Sequence, residues 1–333
     1  MTAPHSAADL VGRRVGVEVP ATTANLGAGF DALALALDLV TSVAVEIVPP
    51  DTDPAFLVEV RGEGAGQLPS GRRNRFISAL IAGIEATGVD PAGAGFHVRM
   101  DNRIPVTRGL GSSASATVAG LVAADALLDG ALGPELILEL AARTEGHADN
   151  AAAAIYGGLC VVATVEGLPR AVRLDAPVDV LAALFIPDKH LSTAAMRAAL
   201  PATVPFADAV HNVGAACLAV AALSSGRLDL LRPATIDRLH EPYRAAAYPE
   251  LPALIEAALS AGAMGACMSG AGPTVIAFHD KPAAAATIAA AMERRAQAQG
   301  LTGRAAVHAV RAEGARVIPA DDVRPGHRTV RLT

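Results

Sequence analysis

Tryptophan is absent from this sequence, and phenylalanine and tyrosine are so scarce that aromatics make up 3% of the chain. The core must therefore rest on Ala, Val, Leu and Ile. Lysine is nearly absent too: Lys189 and Lys281 are the only two, and arginine carries almost all the positive charge. No basic run is longer than Arg72-Arg73, which argues against a nucleic-acid partner. Cysteine is limited to Cys160, Cys217 and Cys267, odd in number, far apart and set in apolar runs. That pattern argues against a disulfide framework or a metal site, and all three are expected as buried free thiols. The first ten residues hold no apolar segment of the kind that starts a signal peptide. The Ala- and Leu-rich segments are expected to be broken by charge, Gly or Pro before they could span a bilayer, so a soluble cytoplasmic protein is expected.

The 333 residues are 52% hydrophobic and 18% charged, with a net charge of −6, the balance of a compact globular chain. Their number suffices for one large domain or two ordinary ones. Alternating patterns at 14–19, 43–47 and 96–100 predict half-buried strands, and the apolar run at 159–165 a more buried one. Helices are expected from Ser113 to Leu128, stopped by Gly130, and from Pro134 to about Thr144, with proline in the first turn. The pattern loosens across Glu166–Asp179, where Gly167, Pro169 and Pro177 fall. A domain junction is placed there, giving residues 11–170 and 171–320. Beyond it come a strand at 183–187, Ala-rich helices and a strand at 274–278. Strands and helices do not alternate regularly, so the expected class is α+β rather than a doubly wound sheet.

The stretch "IPVTRGLGSSASATVAG", Ile104–Gly120, is built for an anion. A helix N-terminus offers unpaired amides and partial positive charge, and glycines before it allow close approach of phosphate. Gly109 and Gly111 would form the turn, with Ser112 and Ser113 at the helix start. The absence of Gly-Lys-Ser/Thr excludes a Walker A loop, and Ala114 and Pro105 stand against a Rossmann fingerprint. Alone, the stretch also reads as a glycine loop followed by a serine cap.

Two further stretches bear on that choice: "VPATTANLGAGFDALALAL" (19–37) and "GACMSGAGPTVIAF" (265–278). Together and in this order, the three resemble the three motifs of the GHMP kinases, over nearly the whole chain. The resemblance implies an N-terminal domain like the second domain of ribosomal protein S5 and a ferredoxin-like C-terminal domain. It implies ATP and Mg²⁺ as cofactors. The second motif would wrap the nucleotide phosphates through Pro105, Arg108, Gly109, Leu110, Gly111, Ser112, Ser113, Ala114 and Ser115, with Ser112 on the Mg²⁺ side. Asn74 would lie near the nucleoside. Gly270, in the third motif, would border the acceptor.

The first motif narrows the acceptor. It has no Lys or Arg, and "PATTANLGAGFD" is similar to the "PATSANLGPGFD" of the homoserine kinases among these enzymes. Asn25 and Asp31 are then expected to contact substrate. L-Homoserine carries an ammonium, which suits a carboxylate, and a carboxylate, which suits arginine in bidentate geometry. "LSTAAMRAALP" and "HEPYRAAAYP" resemble the family's segments and offer Thr193, Arg197 and Arg244. Thr193 and Arg197, four apart, would share a helix face.

"ELAARTEGHADN" (139–150) carries the remaining acids. Family spacing favours Glu139 as the Mg²⁺ ligand, ten residues before Asp149. Ten helical residues rise roughly 15 Å, so a break is required between them, at Gly146. Glu145 lies nearer and reads as structural, and the alternative for Glu139 is an i, i+4 ion pair with Arg143. Asp149 is assigned to substrate binding and hydroxyl orientation rather than to full general-base catalysis, since an ordinary aspartate is a feeble base towards an alcohol. His147 and Asn150 are expected to line the site. The implied reaction takes ATP and L-homoserine to ADP and O-phospho-L-homoserine, on the way to threonine, in a possible homodimer. Two other readings stay open: a GHMP kinase for a different alcohol, and a catalytically silent ligand sensor on the same fold.

Overall fold

The computed structural model describes residues 6–176, 179–324 and 327–328; Pro177, at the expected junction, lies outside them. The first half opens with a long antiparallel hairpin. β1 (Arg14–Ala24) pairs along its whole length with β2 (Leu33–Val48). β3 (Phe56–Gly62) leads to α1 (Arg75–Ala86) and to β4 (Gly95–Asn102), which lies parallel to β3 and antiparallel to β2. α2 (Ser112–Leu127), α3 (Gly133–Glu145) and α4 (Asp149–Tyr156) follow, then the hairpin of β5 (Leu159–Val165) and β6 (Leu168–Leu174).

The second half holds β7 (Leu181–Pro187), α5 (Thr193–Ala198), α6 (Phe206–Ser225), α7 (Leu231–Ala234), α8 (Glu241–Arg244) and α9 (Leu251–Ser260). Then come β8 (Gly265–Met268), β9 (Val275–His279), α10 (Pro282–Ala298) and β10 (Gly303–Ala309). These strands form a wholly antiparallel sheet in the order β10-β7-β9-β8, the expected ferredoxin-like arrangement. The chain then returns to the first sheet. β11 (Arg316–Ile318) pairs with β1 and β12 (His327–Arg328) with β3.

With so few aromatics, packing relies on small side chains at close range. α2 lies against α1, where a Cβ on Gly120 would stand 2.4 Å from the Phe76 carbonyl. Both helices, with α3 and α4, bury Leu80, Ile84, Val118 and Leu121 against Val17, Val45 and Phe96 of the sheet. A second apolar cluster joins the halves. Leu26, Leu33, Leu35 and Leu110 of the first pack with Leu184, Ile186, Leu223 and Phe278 of the second. That shared core fixes the two motif-bearing regions relative to each other, because densely packed interiors resist relative displacement.

The expected strands and both early helices are present; the strand expected at 43–47 starts ten residues earlier, at Leu33, the one expected at 14–19 runs on to Ala24, and the other ends shift by only a few residues. Two expectations need correction. Cys160 and Cys267 are buried, but Cys217 is exposed, because it lies on the outer face of α6. α6 is also long and apolar enough, by length and composition, to cross a membrane. Its single charge, Asp208, lies in the first turn and breaks nothing. The helix buries one narrow face, Asn212, Ala215, Ala219, Ala222 and Leu223, against the molecule.

Candidate active site

The second and third motifs line a cavity of about 550 Å³ shared by both halves, and the first motif lies against its wall, where Thr22 donates to Asn150 and Asn25 to the Gly270 carbonyl. One end is the glycine-rich loop. Gly109 and Gly111 have left-handed backbones, φ 78° and 68°. A Cβ on Gly109 would reach within 2.3 Å of the Ser269 carbonyl, and one on Gly111 within 1.9 Å of the Thr22 hydroxyl. The loop is therefore fastened from beneath. The Ser269 hydroxyl donates to the Gly109 carbonyl at 2.7 Å, the Thr274 amide to the Arg108 carbonyl at 3.2 Å and the Thr22 amide to the Leu110 carbonyl at 3.2 Å. α2 begins at Ser112 with no side-chain cap, and Ser112, Ser113 and Ala114 line the cavity. The uncapped amides of this first turn form an anion site.

The other residues of the stretch are placed differently. Leu110 is buried in the core between the halves, Pro105 is buried as well, and the Ser115 hydroxyl donates to the Pro20 carbonyl at 2.7 Å. None of these three lines the cavity. Asn74 lines it while capping α1, accepting from the Phe76 amide at 3.0 Å. Arg108 reaches across to the second half. It donates to the Asp188 carbonyl at 3.0 Å, and its Nη1 lies 2.8 Å from His190 Nδ1.

Among the acids, Glu145 is the one beside the loop. It accepts from Ser113 at 3.1 Å and Thr117 at 2.7 Å, with Arg75 at 3.8 Å. Glu139, expected there instead, pairs with Arg143 one turn along α3 and does not line the cavity. The break at Gly146 is present, with φ 80°, but α3 stays regular up to it. Glu139 and Glu145 therefore point about 120° apart around the helix axis, and the later acid is the one beside the loop. Asp149 opens α4. Its Oδ1 accepts from the Asn150 amide at 2.6 Å and meets His147 Nδ1 at 2.6 Å. Burial would lower the His147 pKa, but the Asp149 hydrogen bond and charge outweigh it, and the pKa is raised.

Beyond Asp149 the site turns to paired charge. Asp31 and Arg197 form a bidentate ion pair at 2.7 and 2.9 Å, across the two halves. Thr193, one turn before Arg197 on α5, lines the cavity. Asn25 donates to the Gly270 carbonyl at 2.8 Å and accepts from the Asp31 amide at 3.1 Å. Arg244 is fully buried, yet its hydrogen bonds go to neutral partners: the Met196 and Gly270 carbonyls at 3.3 and 3.1 Å, and His240 Nδ1 at 3.2 Å. Burial and the nearby Arg197 charge lower its pKa, against the pull of Asp31, Asp237 and Glu241. The Glu241 carboxyl offers it little, since burial pushes that acid up to about 8. The Phe30 ring lies under both guanidiniums, 5.7 Å from Arg197 and 5.3 Å from Arg244.

This geometry can be set beside known proteins. Residues 74–158 match the model of the GHMP kinases N-terminal domain, and residues 219–298 that of the GHMP kinases C-terminal domain. A homoserine kinase of Synechococcus sp. (strain CC9902) is 41% identical over 315 residues, 94% of this chain and 98% of that protein. The chain belongs to the homoserine kinase family. Another member, from Thermus thermophilus, is 46% identical over 78% of this chain and 85% of its own length. A crystal structure of homoserine kinase from Cytophaga hutchinsonii superposes with a TM-score of 0.80 at 30% identity, covering 92% of this chain and 97% of that one. As a member of a kinase family, the chain uses ATP. The uncapped α2 terminus and the glycine backbone, where no Cβ would fit, suit its phosphates.

Sequence reasoning passed over Phe30 and His240, although both lie inside quoted motifs. The signal available was a lone aromatic beside a predicted substrate acid, in a chain with few aromatics. It underrated Glu145 because spacing within the family was weighed above distance from the loop.

Proposed function

We infer that this chain transfers the γ-phosphoryl group of ATP to the hydroxyl of L-homoserine, giving ADP and O-phospho-L-homoserine. One observation carries the acceptor. A carboxylate and two arginines gather around the Phe30 ring, and the buried Arg244 has only neutral hydrogen-bond partners. A buried cation with no hydrogen-bonded anion is costly, and the substrate carboxylate satisfies it. Asp31 takes the ammonium, and Arg197 joins Arg244 on the carboxylate. The zwitterion thus replaces an ion pair already present with two intermolecular ones.

The Asp149 carboxylate has its Oδ1 occupied by Asn150 and His147, which leaves Oδ2 to accept the homoserine hydroxyl. An acid held this way orients the nucleophile, and phosphoryl transfer depends mainly on such positioning and on charge neutralisation. Ser112 and Glu145 are the residues that would hold Mg²⁺, in the place expected for Ser112 and Glu139. The ion supplies neutralisation of phosphate charge. No lysine lines the cavity, and the α2 amides hold the phosphates instead.

A coupled ADP-release assay with L-homoserine and a panel of other small alcohols tests the reading. Turnover is expected with L-homoserine in preference to all others. Turnover only with a different alcohol overturns the substrate, and none with any alcohol overturns the activity.

A further inference from the structure

The loop from Asn25 to Asp31 belongs to the first half by sequence, yet it is shaped from the second. Asn25, Leu26, Gly27 and Asp31 all have left-handed backbones, with φ 72°, 49°, 77° and 55°. Such conformations at non-glycine residues persist only where surroundings impose them. Within the loop the Asn25 side chain accepts from the Asp31 amide at 3.1 Å; further imposing groups come from across the domain junction. Asn212 donates to the Ala28 carbonyl at 3.1 Å, and Thr235 packs so closely on Gly27 that a Cβ would lie 2.2 Å from its carbonyl oxygen. His240 Nε2 lies 2.8 Å from the Gly27 carbonyl.

His240 is fully buried, and both its ring nitrogens are engaged. Arg244 Nη1 lies 3.2 Å from Nδ1. A guanidinium only donates, so Nδ1 must accept. A carbonyl only accepts, so the ring proton must sit on Nε2. Asp237 does not compete for that proton: its Oδ2 is 3.7 Å from Nε2 and accepts instead from the His240 and Glu241 amides at 2.8 and 2.7 Å. The ring is therefore neutral and confined to one tautomer, and burial, which lowers its pKa, acts in the same direction. Its face meets Phe30 with centroids 5.0 Å apart. The imidazole thus touches the arginine assigned to the substrate carboxylate and the loop that presents the acid assigned to the ammonium.

We propose that His240, held as the neutral Nε2–H tautomer, is a positioning residue that sets Arg244 and the Asp31 loop in register, and so governs recognition of the amino-acid end of the substrate. The proposal rests on the homoserine reading above. It predicts a separation of the two substrates. His240→Ala and His240→Gln should raise the KM for L-homoserine about tenfold, the scale of one hydrogen bond to a charged group, with the KM for ATP and kcat within about twofold. His240→Asn can place its side-chain oxygen where Nδ1 stood, and should keep the L-homoserine KM within about threefold of the parent. Equal changes in both KM values, or an Asn variant no better than the Ala variant, would overturn it. Nitrogen-15 shifts of the parent's histidines give a second readout that needs no turnover. His240 is expected as Nε2–H at neutral pH, and an Nδ1–H tautomer or an imidazolium would overturn the assignment. If the parent fails to phosphorylate L-homoserine, the substrate reading fails, while the tautomer result still decides the contact with Arg244.

Discussion

The two regions of the candidate site are built from different materials. The region assigned to phosphate is backbone: two left-handed glycines, an uncapped helix terminus and a floor of carbonyl and hydroxyl contacts. Its chemistry comes from amides whose positions are fixed once the loop folds. The region assigned to the amino-acid substrate is side chain: Asp31, Arg197 and Arg244, drawn from distant parts of the sequence around one phenyl ring. Triphosphate recognition needs a rigid concave surface of partial charges, whereas a small zwitterion needs two full charges at a set separation. On the proposed reading, the first demand falls to a contiguous stretch of chain and the second to groups that only the meeting of two halves brings together.

The comparison breaks most severely at Gly111. Replacement by Ala would put a Cβ 1.9 Å from the Thr22 hydroxyl at a φ of 68°, and kcat/KM for ATP should fall by about a hundredfold or more in steady-state assays. Arg244→Met should be nearly as damaging at the other end. We expect about a hundredfold loss in kcat/KM for L-homoserine, the scale of unpairing a buried charge, with ATP binding little changed in a fluorescence titration. Glu145→Gln should lower Mg²⁺-dependent turnover about tenfold and raise the Mg²⁺ concentration for half-maximal rate. Glu139→Gln should stay within about twofold, since it loses only an exposed ion pair. The mildest effect concerns pH. The His147 pKa is raised above 6.5 by Asp149 despite burial. The pair's contribution to stability is therefore fully present below 6.5 and is lost as pH rises through the folded value. Thermal melts of His147→Gln should lack that decline.

How much of this was legible follows the same division. Gly109, Gly111 and Ser112 could be read because a tight turn before a helix leaves a mark in adjacent residues. The strands at 14–19, 43–47 and 96–100 were marked by alternation, and the structure lengthens each of them. β6 was missed because Gly167 and Pro169 suggested a break, yet they sit in and beside a tight hairpin turn that keeps the strand paired to β5. Arg197 and Asp31 were named separately, but their mutual pairing depends on a fold that sets α5 against the β1–β2 loop. Glu139 was preferred over Glu145 on spacing, and only the course of α3 shows which face each acid occupies. His240 left no periodic or compositional mark, since its role is to touch two places at once.

The return of the last strands to the first sheet bears on how the chain is made. β1 gains its outer partner only at Arg316–Ile318, and β3 gains its own at His327–Arg328. During synthesis the N-terminal sheet therefore waits with both edges bare while the entire second half leaves the ribosome. Unpaired edges invite pairing with other chains. Premature termination shortly before residue 316 would yield a protein with all three motifs but with open edges, fit for aggregation more than for catalysis.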